Sequence, residues 1–68
     1  MAEINNDQLR LARTVRDACV RAAKEGYERA AMSGLCAEGA LEAAVSTIEM
    51  LDLNAVLDAG EAQVSRQR

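Results

Sequence analysis

The chain has 68 residues, a formal net charge of −3, two cysteines and no histidine, tryptophan, phenylalanine or proline. That length suits one small domain. The inventory excludes a dense disulfide framework, a Cys/His zinc site and Cys–His catalysis. Half the residues are apolar, yet aromatic residues make up 1%, Tyr27 alone, so the core must come from Ala, Leu, Val, Ile and Met.

Such a core buries little area, and below roughly 70–80 residues a staple or a partner is usually needed. Oligomerisation is the expected source of the missing burial. No apolar run approaches the roughly 20 residues of a membrane span. The start, Met-Ala-Glu-Ile-Asn-Asn-Asp, lacks the basic and apolar regions of a signal peptide. The expectation is a cytoplasmic protein with reduced thiols.

A first helix is predicted over about 6–33. Asn5 serves as its N-cap with Gln8 as the reciprocal partner, and Ile4 and Leu9 take the staple positions. Leu11, Ala12, Val15, Ala18, Cys19, Ala22, Gly26 and Ala30 fall on one arc at helical spacing. Within that arc Ala18, Ala22, Gly26 and Ala30 recur every four residues. A ladder of small side chains admits a second backbone, and close contact offsets the roughly 1 kcal/mol that Gly26 costs in helix propensity. Most of the charges lie on the other side.

Gly34 ends this helix as a left-handed C′ residue, with Leu35 beyond it. Two or three linking residues force an antiparallel hairpin. The second helix is predicted over about 37–51, with Ala37, Ala40, Leu41, Ala44, Val45, Ile48 and Leu51 as its buried stripe. Leu53, Val56, Leu57, Gly60 and Val64 form a further stripe, rotated by more than about 90° at helical spacing. A break at Asp52-Leu53-Asn54 follows, with Asn54 or Asp52 capping a third helix of about 55–64 and residues 65–68 as a frayed tail. The second and third helices together match the first in length, so the third can lie along the N-terminal half of helix 1 or on a partner chain.

Charge is distributed unevenly. Asp7 to Ser33 holds Arg10, Arg13, Arg16, Arg21, Lys24 and Arg29 against four acids. Gly34 to Val64 holds no cation against Glu38, Glu42, Glu49, Asp52, Asp58 and Glu61. This asymmetry suits helices that pack on each other, within or between chains.

Cys36 is the candidate reactive thiol, because a helix N-terminus lowers a thiol pKa. Nearby Glu38 should oppose ionisation. Cys19 reads as a core residue, and lies too far down its helix, roughly 20 Å from the turn, to pair with Cys36 inside one hairpin. Glu38, Glu42 and Glu49 share a face, but no Glu-x-x-His pair accompanies them, and the face reads as solvated. Ala30, Gly34 and Leu35 fit a helix-turn-helix corner. The helix that would read DNA is acidic, however, which argues against nucleic acid.

The run Tyr27-Glu28-Arg29-Ala30 with Gly34-Leu35-Cys36-Ala37-Glu38-Gly39 and Glu42 resembles short uncharacterised bacterial helical proteins, some of which carry an acetyltransferase label. The resemblance covers about half the chain. A complete acetyltransferase does not fit 68 residues without a strand pattern or a phosphate loop, so no functional residues are carried over.

The resulting expectation is an all-α domain, a helical hairpin plus a short third helix, that forms a homodimer with bundle-like packing. Its expected role is that of a non-catalytic interaction, adaptor or regulatory module that binds protein, with no cofactor. The expected interface is Ala18, Ala22, Gly26 and Ala30 with Leu41, Val45, Ile48 and Leu51, extended by Leu53, Val56 and Leu57. The alternatives are a thiol-based redox response at Cys36 and an antitoxin-like or transcription-regulating partner.

Overall fold

A computed structural model describes residues 6–66, with side chains described through Gly60. The described residues form three helices, α1 (Asn6–Met32), α2 (Ala37–Glu49) and α3 (Leu53–Arg66), and no strand. The expected cap residue Asn5 and staple residue Ile4 lie outside the described residues. The chain gathers into two compact units. One is the hairpin Cys19–Leu51; the other joins the first half of α1 to α3.

In the hairpin unit, α1 stops where a glycine was expected to stop it. Gly34 has φ +96. Its amide donates to the Ala31 carbonyl at 3.0 Å, and the Leu35 amide donates to the Ala30 carbonyl at 3.1 Å. These two bonds are the Schellman pair, which satisfies carbonyls left open at the helix end. Cys36 then takes an extended conformation as the N-cap of α2. At Gly39, in the first turn, a β-carbon would sit 3.2 Å from Leu35 Cδ2. The apolar residue of the turn folds over the helix it introduces.

The hairpin closes through small residues. Ala22, Gly26 and Ala30 of α1 and Ala40 and Ala44 of α2 are buried. A β-carbon on Gly26 would overlap Thr47 Oγ1 and lie 3.1 Å from the Ala43 carbonyl oxygen. Thr47 itself donates to that carbonyl at 2.8 Å, so its hydroxyl meets α1 with its proton already satisfied. Three of the four ladder residues, Ala22, Gly26 and Ala30, therefore receive the chain's own α2.

This placement corrects the expected stripe of α2. Ala40 and Ala44 are buried, but Ala37, Leu41 and Val45 are exposed. The two sets lie side by side on α2. The smaller one is buried beside Ala43 and Thr47, where Gly26 lets the two backbones approach, and the bulkier one is turned outward.

α2 ends two residues earlier than expected, and α3 begins two residues earlier. Met50 donates to the Ser46 carbonyl at 3.0 Å and Leu51 to the Ile48 carbonyl at 3.1 Å, which closes the last turn of α2. Asp52 rather than Asn54 is the cap: its Oδ1 accepts the Ala55 amide at 3.3 Å, three residues on, as an N-cap does. The break thus falls at Met50–Asp52. At its other end α3 runs through Ser65 and Arg66, which were expected in a frayed tail. No glycine or proline follows Gly60 to stop it.

In the second unit, α3 packs on the first half of α1. A β-carbon on Gly60 would lie 3.1 Å from Thr14 Cγ2. Thr14 Oγ1 donates to the Arg10 carbonyl at 3.0 Å. The same device appears in both units, a glycine on one helix against a threonine bonded back to its own helix. Thr14, Val15 and Ala18 are half-buried here, whereas Leu11 and Ala12, expected on the same arc, are exposed. For Ala12 the reason is angular. Gly60 meets Thr14, and Ala12, two residues before it, lies nearly half a turn away at helical spacing.

Candidate functional site

The described residues bring together no catalytic constellation. No three acidic, cysteine or histidine side chains among them converge closely enough to hold a metal ion. Glu38, Glu42 and Glu49 are exposed along α2. Among the described residues no helix is long and apolar enough to cross a membrane.

Cys36 is exposed and Cys19 half-buried, and both are free thiols. Cys36 occupies the N-cap of α2 without a side-chain capping hydrogen bond. Its sulfur still feels the first-turn amides. The Gly39 amide, then the Glu38 amide, hold the thiol below its usual range; slight desolvation opposes them and the Cys36 amide assists. The expected opposition from the Glu38 carboxylate is not among these influences. At this position Glu38 acts through its backbone.

The second feature is apolar surface. The buried apolar residues among those described are Ala22, Ala30, Ala40 and Ala44, and no large side chain is fully buried. Leu41 is 60% exposed, Leu53 58%, Val45 49% and Leu57 37%. Ile48, Leu51 and Val56 are half-buried. The residues singled out as an interface therefore divide. Ala22, Gly26 and Ala30 are covered by the chain's own α2. Ala18 is half-buried in the other unit. Leu41, Val45, Leu53 and Leu57 are open to solvent.

Sequence reasoning missed three participants. Thr47 and Thr14 face the glycines of the two helix contacts. Their signal was a β-branched hydroxyl residue four positions after a carbonyl that it can reach. Val20, 46% exposed, lies off the arc of α1 and has no signal in helical spacing. Tyr27, expected at the edge of that arc, is exposed in part.

Comparison with protein-family models, with curated proteins and with solved structures returns no match.

Proposed function

We propose that this chain is a non-catalytic helical interaction module that acts as a homo-oligomer through protein–protein contacts. One observation carries the reading. The hairpin is closed by alanine and glycine, while Leu41, Val45, Leu53 and Leu57 stand in solvent. Burial of a leucine is worth about 1.5–3 kcal/mol, and a chain of this size has little stability to forgo. Covering those side chains in an assembly supplies what the alanine core lacks. Sedimentation equilibrium of the full chain tests this: the expected result is a mass that rises with concentration to a multiple of the chain mass. A single-chain mass up to high micromolar concentration would remove the reading.

A second reading is favoured by the amides around Cys36, that of a thiol-responsive protein. Thiolate is the reactive form of cysteine, and the exposed sulfur is accessible. The alkylation rate of Cys36 against pH, measured with Cys19→Ser, tests it. The expected midpoint lies below the ordinary value of about 8.5; a midpoint at or above that value would sink this reading.

A further inference from the structure

The hairpin Cys19–Leu51 carries most of its exposed branched and aromatic side chains on one side. Its helices run antiparallel with Gly26 against Ala43 and Thr47. In an antiparallel pair, equal rotations away from the contact lead to the same side of the hairpin. A rotation of about a quarter to a third of a turn from Gly26, at 3.6 residues per turn, brings Val20 and Tyr27 of α1 to one side; a rotation in the same sense of about a quarter to two-fifths of a turn from the centre of Ala40, Ala43, Ala44 and Thr47 brings Ile48, Leu41 and Val45 of α2 to it. Four of these five are exposed and Ile48 is half-buried. The opposite rotation leads to Glu25 and Arg29 on α1 and Ser46 on α2, with the unbranched Met32 and Met50 at the ends of the two helices. The outer rims of the apolar side also differ. Beyond it on α1 lies Lys24, with Arg21 and Glu28 close by. Beyond it on α2 lie Glu38, Glu42 and Glu49, with no cation on that helix.

We propose that this apolar side seats a second copy of the chain, packed two-fold so that α1 lies over the α2 of the other copy. The proposal rests on the self-association reading and adds its face and arrangement. Two two-fold stackings bury the same side chains. One sets α2 on α2 and opposes three carboxylates to three carboxylates with no cation between them. The other sets α1 on α2. Lys24 and Arg21 then come level with Glu49 of the other copy, at the cost of one like-charge approach between Glu28 and Glu42. Charge complementarity selects the second, since like charges juxtaposed at an interface disfavour assembly. A four-helix bundle with antiparallel neighbours results.

The test uses the full chain in sedimentation equilibrium, with helicity followed by circular dichroism. The wild-type chain is expected to dimerise. Leu41→Glu is expected to give a monomer that keeps its helicity, because Leu41 is exposed within the single chain. Lys24→Glu and Glu49→Lys should each weaken the dimer about five-fold at low salt, the scale of exposed rim pairs, and the double exchange should restore it. A dimer indifferent to Leu41→Glu would overturn the choice of face and leave self-association standing. A Leu41-dependent dimer that the double exchange does not restore would overturn the α1-on-α2 arrangement. A wild-type monomer at every concentration would overturn the self-association reading itself and leave the face to a different protein. Should Leu41→Glu lose helicity, the charge exchange alone decides.

Discussion

Three glycines in this chain sit in helices, and the surroundings of two of them, Gly26 and Gly39, give opposite expectations for the same substitution. Gly26→Ala places a methyl against Thr47 and the Ala43 carbonyl. Backbone cannot yield there unless the helices part, so a loss of about 1–3 kcal/mol is expected, the range for overpacking. Gly39→Ala meets only the end of the Leu35 side chain at 3.2 Å, and Leu35 is half in solvent and free to turn. The gain in helix propensity should then prevail, with the hairpin more stable by about 0.5 kcal/mol. Urea unfolding of both variants checks the pair; two changes of the same sign would contradict it. Cys36 supplies a prediction in pH. Its thiol is held low in the fold by the Gly39 and Glu38 amides, so the folded state favours thiolate. That contribution is full above the unfolded thiol's pKa and is lost as pH falls through the folded one. Stability should rise with pH across this interval, and Cys36→Ser should flatten the slope in urea midpoints taken at several pH values.

At the scale of elements, the stops and starts were the legible part of the sequence. Gly34 reads as a C′ residue because a left-handed residue is easiest for glycine, and the structure gives it φ +96. The break after α2 was legible because two apolar stripes could not face one neighbour. Its placement was less so, since Asp52 and Asn54 are equally good caps by residue type. Asp52→Ala should cost about 1 kcal/mol, whereas Asn54→Ala should change little; thermal melts of the two variants separate them. The face of α2 was not legible. Ala40-Ala44 and Leu41-Val45 share one helical stripe, and hydrophobicity alone favours the larger pair. Close approach favours the smaller pair, and that follows only once Gly26 and Thr47 are known to meet.

For the whole molecule, the expectation of an all-α chain of three helices was sound, because an alanine-rich chain without proline has little else to form. The expected self-association was argued from a missing core, and the structure sharpens the deficit into a list of exposed aliphatics. Because binding to the folded form stabilises it by mass action, the melting temperature should climb with chain concentration. Differential scanning calorimetry across a hundred-fold range checks this, and a constant melting temperature would speak for an independent monomer.

The alanine core also has a consequence for heat capacity. Apolar surface exposed on unfolding raises the heat capacity by about 0.45 cal/mol/K per Å², and a typical domain shows roughly 12–15 cal/mol/K per residue. Ala22, Ala30, Ala40 and Ala44 withdraw little such surface from water, and the leucines withdraw theirs only in part. The single chain is therefore expected to show a shallow stability curve, with a broad transition and weak curvature toward the cold. Steep temperature dependence would belong to the contact that covers Leu41 and Val45.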